Sequence, residues 1–173
     1  LRRRSGAREQ GCAMTDAVAL LSALRARGWT LGIAESLTGG AVSSEVVTVP
    51  GASESLLGAV VAYATPVKHT LLGVDAALLD EHGPVHPQVA EQMADGVRRA
   101  VAVGGVAADV GISTTGIAGP DSPDGQPVGT VHIGVVTPTA RTTRPFVFAG
   151  DRAAIRRQSV EAALTVALGL IAE

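Results

Sequence analysis

The chain has 173 residues and a mass of 17.4 kDa, which is the size of one ordinary domain. Hydrophobic residues make up 46% of it and charged residues 17%, a balance that is typical of a folded globular domain and excludes a disordered chain. Polar residues interrupt every apolar run before it reaches the ~18 residues that a membrane-spanning helix requires. We therefore expect no membrane association.

Charge is distributed unevenly along the chain. Four arginines and one glutamate fall within residues 1–13, which leaves residues 14–173 with 10 basic and 15 acidic side chains. An acidic domain is a poor binder of polyanions, and its four aromatic residues give few platforms on which bases stack. Nucleic acid is therefore not an expected partner.

Residues 1–13 lack the apolar stretch of a secretory signal, and the Met14-Thr15-Asp16 step that follows them is typical of a translation start. We expect residues 1–13 to be a disordered extension and residues 14–173 to form a single domain. The only cysteine, Cys12, lies in the extension, so the domain has no disulfide and no cysteine nucleophile. This favours a reducing, cytoplasmic location.

Helical and strand patterns alternate along most of the chain, and a hairpin of two strands follows near its end. This order predicts an α/β fold, a single-domain three-layer α/β/α sandwich with a mixed sheet. The predicted helices span residues 15–28 with Thr15 as the cap, a segment ending at 47, 66–72 as one or two turns, 87–103 and 151–171. The predicted strands span residues 30–34, 56–63, 106–113, 128–137 and 142–148, with a loop at 114–126.

Lys68 is the only lysine among 14 lysines and arginines. An arginine keeps its proton in proteins, whereas burial drives a lysine toward the neutral amine that acts as a base. A chain that uses arginine for nearly every positive charge and retains one lysine indicates a need for the amine. The alternative is a surface lysine without a role.

The segment 35–40 (ESLTGG) lies where a predicted strand ends and a helix begins, the place where ligands gather in α/β sheets. Ser36 and Thr38 supply hydroxyls there, and Gly39 and Gly40 let backbone N–H groups approach an anion closely. The N–H groups of Thr38, Gly39 and Gly40 are candidates for an oxyanion hole or for a phosphate cradle. The alternative is ordinary helix capping, and no known nucleotide-binding fingerprint is present.

A second polar, glycine-rich segment, residues 111–120, also follows a predicted strand. Backbone N–H groups and hydroxyls in such a loop can enclose a phosphate or a ribose, although the segment also suits a plain connection. Two such segments at the ends of separate strands would line one crevice.

A metal site is not expected. His82 and His86 are spaced as two ligands on one helical face, but Pro84 and Pro87 interrupt that helix and no pair of carboxylates completes a ligand set. The serines also lack the G-x-S-x-G context of a nucleophile elbow.

Five motifs in order resemble the CinA C-terminal domain family, and the resemblance covers residues 16–172. They are residues 34–40 (AESLTGG), 50–53 (PGAS), 61–64 (VAYA) together with Lys68 and 72–74 (LGV), 115–120 (TGIAGP) and 127–131 (PVGTV). The resemblance implies an α/β/α fold, often dimeric, and an amidohydrolase that converts nicotinamide mononucleotide into nicotinic acid mononucleotide and ammonia in bacterial pyridine-nucleotide salvage. It implies a metal-independent serine/lysine mechanism without a cofactor.

Carried onto this chain, the resemblance makes Ser36 the nucleophile and Lys68 its general base, with Tyr63 orienting or relaying the proton. A useful base at neutral pH requires the pKa of Lys68 to fall to about 7. Substrate contacts are expected from Thr38, Gly39, Gly40, Ser53, Thr115 and Gly116. Arg156 is the candidate for the substrate phosphate, with Arg152 and Arg157 as alternatives and a solvated helix charge as the plain interpretation.

One departure from the family pattern is visible at residues 65–67 (TPV), where an asparagine and an acidic residue are expected. Pro66 restricts Thr65 and could alter a substrate contact while leaving Lys68 in place. Two other functions therefore stay open: a non-catalytic nucleotide-binding module linked to competence and damage responses, and an amidase for another small carboxamide.

Overall fold

A computed structural model describes residues 6–123 and 125–172 of the chain. Five strands and six helices form the regular structure of these residues. The strands are β1 (Leu31–Glu35), β2 (Leu56–Val61), β3 (Val110–Gly116), β4 (Thr130–Val136) and β5 (Arg141–Val147). The helices are α1 (Gly6–Arg27), α2 (Ala41–Val47), α3 (Thr65–Leu72), α4 (Ala76–His82), α5 (Pro87–Ala100) and α6 (Arg152–Ala172), with a short 3-10 turn at Ala52–Glu54.

The sheet is mixed, as predicted, with the strand order β2-β1-β3-β4-β5. β1 pairs in parallel with both β2 and β3, and β3, β4 and β5 pair antiparallel. All five residues of β1 are buried. The carboxyl ends of β1, β2 and β3 therefore share one edge of the sheet, where the candidate segment 35–40 begins.

Helices cover both faces of the sheet and complete the three predicted layers. On one face α1, α2 and α6 enclose the larger core cluster, which includes Leu20, Leu24 and Leu164. On the other face α3, α4 and α5 enclose a smaller cluster around Leu72 and Met93. Lys68 is carried by α3, in the layer that holds this smaller cluster.

Two glycines allow the second layer to lie close to its neighbours. A Cβ at Gly111 of β3 would lie 1.8 Å from the carbonyl oxygen of Ala94, so α5 rests directly on the backbone of β3. A Cβ at Gly96 of α5 would lie 1.8 Å from the carbonyl oxygen of Leu72, at the last residue of α3. The position of α3, and with it Lys68, therefore depends on a residue without a side chain.

The predicted start of the first helix is wrong, because α1 begins at Gly6 and Thr15 lies inside it. Residues 6–13 therefore continue this helix. Ala, Arg, Glu and Gln are strong helix formers that extend a helix already anchored by its core-facing residues. Residues 1–5 lie outside the described residues, and a domain boundary at Met14 stays a prediction.

Two further differences concern the segments between predicted elements. α4 was not predicted, because its seven residues are too few to show a clear hydrophobic period. β3 begins at Val110 and extends through Gly116, whereas Val106 forms an isolated bridge with Val103. Residues 114–116 thus belong to the sheet and not to the predicted loop. Among the described residues, no helix is long and apolar enough to cross a membrane.

Candidate active site

Ser36 follows the last residue of β1, between the carboxyl ends of β2 and β3. Its backbone N–H donates to the carbonyl oxygen of Thr114 on β3 at 3.1 Å, which continues the sheet by one bond beyond β1. The residue is only 7% exposed, and its side chain borders a cleft. The interior strand β1 thus places the serine at the sheet edge where the parallel strands end.

Lys68 reaches this serine from α3, as the sequence analysis expected of the pair. Its Nζ lies 3.0 Å from Ser36 Oγ, 2.8 Å from the carbonyl oxygen of Ala62 and 3.3 Å from that of Tyr63. Pro66 occupies the first turn of α3, where a missing N–H costs nothing, and Lys68 and Leu72 then share the buried face of the helix. Lys68 is 1% exposed.

The Lys68 amine can donate to all three of these oxygens as the ammonium, and its contacts also suit the neutral form. A neutral amine has two hydrogens and one lone pair, so it can donate to the carbonyl oxygens of Ala62 and Tyr63 and accept the hydroxyl proton of Ser36. Burial lowers the pKa of Lys68 from 10.5 to about 8. This is the predicted direction, with burial as its cause, and a smaller shift than the predicted fall to about 7.

Glu35 was not predicted as a site residue, yet its carboxylate holds the segment that follows Ser36. Its carboxylate is fully buried and accepts from the N–H groups of Gly40 at 2.9 Å, Val42 at 3.1 Å and Ser43 at 2.9 Å, and from the Ser43 hydroxyl at 2.9 Å. The carboxylate thereby caps the start of α2 and compensates its positive end. The sequence signal that could have identified Glu35 is an acidic residue immediately before a serine and close to the start of a helix.

The predicted cradle of N–H groups at residues 38–40 is therefore wrong for two of its three members. The N–H of Gly40 is bonded to Glu35, and the N–H of Gly39 donates to the carbonyl oxygen of Ser36 at 3.1 Å. Both glycines have positive φ angles, 60° and 99°, so they serve the shape of the turn. Thr38 is fully buried and is not among the lining residues, and its hydroxyl bonds that of Thr114 at 2.8 Å.

A cleft of about 200 Å³ lies beside the Ser36 hydroxyl and the Lys68 amine. Thr115 and Gly116 line it, as predicted from the second polar segment, although the Thr115 hydroxyl is engaged by the carbonyl oxygen of Pro84 at 2.7 Å. The connection between α4 and α5, which was not predicted to take part, forms another wall. The lining residues are Ser36, Leu37, Tyr63, Lys68, Pro84, Val85, residues 115–119, Asp121, Pro123 and Arg152.

Two arginines one helical turn apart on α6 contact different parts of the site. Arg152 lines the cleft, donating from Nη1 to the carbonyl oxygen of Gly119 at 2.8 Å and from Nη2 to the Tyr63 hydroxyl at 3.0 Å. Arg156 instead donates from Nε to the carbonyl oxygen of Leu37 at 2.9 Å and from Nη2 to that of Thr38 at 2.8 Å. Arg156 thus does not line the cleft. Arg152, the alternative candidate, lines the cleft where Arg156 was expected.

Two other predicted site residues are placed differently from expectation. Ser53 is exposed and precedes β2 at the end of the sheet opposite Ser36, since Leu31 and Leu56 pair at the amino ends of their strands. The residue pattern around Ser53 does not show where the residue lies in the fold, and Ser53 does not line the cleft. Tyr63 approaches Lys68 with its carbonyl oxygen, while its hydroxyl bonds Arg152.

The departure at residues 65–67 leaves the site intact. These three residues form the first turn of α3 and do not line the cleft. The described residues contain no group of three or more His, Cys, Asp or Glu side chains that could hold a metal ion. His82 and His86 stack their rings 4.6 Å apart.

Comparisons with known proteins agree with this architecture. The sequence profile of the CinA C-terminal domain matches residues 14–171. A putative competence-damage inducible protein of Desulforamulus reducens is 44% identical over 140 residues, covering 81% of this chain and 33% of the relative. A CinA-like protein of Salinibacter ruber is 47% identical over 144 residues, covering 82% of this chain and 34% of the relative. The chain thus spans about a third of the length of these relatives.

Solved structures share the fold. The competence/damage inducible protein CihA of Agrobacterium tumefaciens superposes with a TM-score of 0.86 at 26% identity over the whole of both chains. A competence or damage-inducible protein of Enterobacter asburiae gives 0.86 at 28% identity, covering 92% of this chain and 98% of that one. With a profile match over nearly its whole length, the chain belongs to the CinA C-terminal domain family.

Proposed function

We propose that the protein is an amidohydrolase that cleaves the carboxamide of nicotinamide mononucleotide, with Ser36 as nucleophile and Lys68 as general base. The observation that carries the proposal is the buried lysine amine 3.0 Å from the serine hydroxyl, with a pKa lowered to about 8. A merely structural lysine has no need of a hydroxyl partner facing an open cleft. We further propose, on the family resemblance, that it acts as a cytoplasmic homodimer in pyridine-nucleotide salvage.

The reaction proceeds in two halves that use the same pair. In the first, Ser36 Oγ bonds to the carboxamide carbon while its proton passes to neutral Lys68. The C–N bond then breaks, the Lys68 ammonium returns that proton to the departing amine, and ammonia leaves. In the second half, water attacks the ester, Lys68 takes the water proton and passes it to Ser36 Oγ, and the carboxylic acid is released.

The cleft offers separate contacts for the remainder of the nucleotide. Arg152 is one of its lining residues, and a guanidinium can pair with a phosphate through two parallel hydrogen bonds. Thr115, Gly116 and Ala118 line the cleft as well. If the phosphate is a binding handle, the nucleoside and free nicotinamide should lose turnover rate as well as affinity.

The deciding experiment measures ammonia release from nicotinamide mononucleotide by the purified protein in buffer containing a metal chelator. We expect release by the wild-type protein and none by Ser36→Ala. Ser44→Ala on α2, an exposed serine outside the cleft, is the matched control and should retain full activity. A circular dichroism spectrum shared by all three proteins would show that the loss is not a loss of fold.

Other outcomes point to the two alternative functions. Binding of the nucleotide without turnover, unaffected by Ser36→Ala, would contradict the enzyme and favour a regulatory nucleotide-binding module. Serine-dependent turnover of nicotinamide or another carboxamide in preference to the nucleotide would retain the mechanism and replace the substrate.

A further inference from the structure

The turn after the candidate nucleophile is held from two sides by buried or half-buried charges. On one side the Glu35 carboxylate accepts the N–H groups of Gly40, Val42 and Ser43. On the other side the Arg156 guanidinium donates to the carbonyl oxygens of Leu37 and Thr38. The N–H groups at the start of α2 are thus already satisfied within the protein and offer no free donor to a ligand.

Each peptide group of the turn has a fixed orientation. The carbonyl oxygen of Ser36 accepts from the Gly39 N–H at 3.1 Å. The carbonyl oxygen of Leu37 accepts from Arg156 Nε at 2.9 Å. The carbonyl oxygen of Thr38 accepts from Arg156 Nη2 at 2.8 Å and from the Ala41 N–H at 3.1 Å. Three successive peptide planes are therefore set, two of them by one guanidinium.

The backbone N–H groups of Leu37 and Thr38 take no part in these hydrogen bonds. Leu37 is 4% exposed and Thr38 is fully buried, yet within the part of the chain that the structure describes neither N–H makes a hydrogen bond. Buried backbone N–H groups are almost always paired, so two successive unpaired ones next to a reactive serine indicate a missing acceptor. In a trans peptide the N–H and C=O point in opposite directions. The Thr38 N–H therefore points away from Arg156.

The missing acceptor fits the chemistry at Ser36. Ser36 and Leu37 line the cleft and Arg156 does not, which is consistent with the Thr38 N–H, directed away from Arg156, facing the carbon that Ser36 would attack. Attack on a carboxamide converts its carbonyl oxygen into an oxyanion, which is stabilised by preorganised N–H groups. A guanidinium on the Leu37 carbonyl oxygen also polarises that peptide and strengthens the Thr38 N–H as a donor.

We propose that the N–H groups of Leu37 and Thr38 form the oxyanion hole of Ser36, and that Arg156 is a positioning residue that orients them. The inference rests on the proposed amide hydrolysis but adds a role for an arginine that touches neither substrate nor nucleophile. Arg156 acts through two carbonyl oxygens at once, which requires the planar fork of a guanidinium. A lysine at position 156 would keep the positive charge but would lack the planar guanidinium that donates to both carbonyl oxygens.

The test is therefore Arg156→Lys, with Arg144→Lys as the control that makes the same change at an exposed arginine on β5, outside the cleft. We expect Arg156→Lys to lower kcat about 100-fold, the size of effect produced by loss of one oxyanion-hole donor, while KM changes by less than about threefold. Arg144→Lys should match the wild-type protein in both constants. An unchanged kcat in Arg156→Lys would overturn the proposal, as would a loss confined to KM.

Chemical rescue separates positioning from folding. Arg156→Ala leaves space for a free guanidinium ion, which should restore at least a tenth of the wild-type kcat when added at millimolar concentration, whereas tetramethylammonium should not. Recovery with guanidinium supports the proposal even if the variant melts at a lower temperature. Equal recovery with both cations, or none, contradicts it.

A second readout does not depend on the nucleotide. A fluorophosphonate reagent phosphonylates an activated serine with its P=O oxygen in the oxyanion hole and fluoride as the leaving group, and the adduct is detected by mass spectrometry. We expect wild-type labelling at Ser36 and about 100-fold slower labelling of Arg156→Lys. Labelling without nucleotide turnover would reject the proposed substrate and leave this inference standing. Equal labelling rates in both proteins would reject the inference itself.

Discussion

Lys68 is held where its positive charge is disfavoured and its lone pair is useful. Burial lowers its pKa from 10.5 to about 8, and both of its carbonyl partners can accept a hydrogen from the neutral amine as well as from the ammonium ion. The hydroxyl of Ser36 is the only one of its three partners that can donate a proton. Burial thus raises the share of the neutral amine that the proposed reaction requires, while the ammonium form still predominates below pH 8.

The pH dependence of kcat/KM follows from this pKa. Because only neutral Lys68 can take the Ser36 proton, kcat/KM should rise about tenfold per pH unit below pH 8 and level off above it. Lys68→Arg keeps the charge and loses the base, and should reduce turnover by a factor of about 10² to 10⁴ at every pH. Initial rates of ammonia release from pH 6 to 10 check both expectations. A flat profile, or an active Lys68→Arg protein, would remove Lys68 from the role of base.

Between elements, the site depends on the seating of α3 against α5. Gly96 allows the carbonyl oxygen of Leu72 to approach the α5 backbone, and Leu72 lies one helical turn after Lys68 on the same buried face. The amine and the serine sit on different layers of the molecule. Their 3.0 Å separation is therefore set by helix packing as much as by the local turn.

Gly96→Ala is expected to damage both stability and activity. The new Cβ would lie 1.8 Å from the Leu72 carbonyl oxygen, so α3 must move and carry Lys68 away from Ser36. We expect a loss of about 1 to 3 kcal/mol in the free energy of unfolding and at least a tenfold loss of kcat. Gly169→Ala on α6 meets no atom within 4 Å and should stabilise the protein by up to about 1 kcal/mol. Urea unfolding and ammonia release measure the two effects, and full activity in Gly96→Ala would contradict the argument.

The strands, the site residues and α1 show which features of the structure could be predicted from the sequence. The mixed sheet and its hairpin were predictable because period-2 and buried apolar runs mark strands and the breakers between them. Ser36 and Lys68 were predictable as residue types suited to the chemistry, and Thr115 and Gly116 as residues of a polar strand end. The direction of Arg156 was not predictable, since two arginines one turn apart on α6 differ only in what the tertiary fold places opposite them. The start of α1 was missed because Thr15 suits a cap, whereas the helix-forming residues before it continue the helix through that position.

Across the whole molecule, three histidines meet where the sheet, α4 and the start of α5 converge. His132 on β4 is 8% exposed, its Nδ1 has no hydrogen-bond partner among the described residues, and burial and the charge of His86 lower its pKa. His86 caps α5 by accepting the N–H of Gln88, and burial and His82 lower its pKa. The Pro84 and Val85 wall of the cleft lies between these groups.

This cluster should make the protein sensitive to mild acid. A histidine whose pKa is lowered by folding binds protons more readily in the unfolded chain, so the free energy of unfolding should fall as the pH drops below the unfolded value of about 6.5. His132→Leu removes one titrating group and its unpartnered nitrogen, and its melting temperature should fall less than that of the wild-type protein between pH 7.5 and 5.5. Parallel pH dependences for wild-type and His132→Leu proteins would show that burial of His132 does not set the acid stability of the fold.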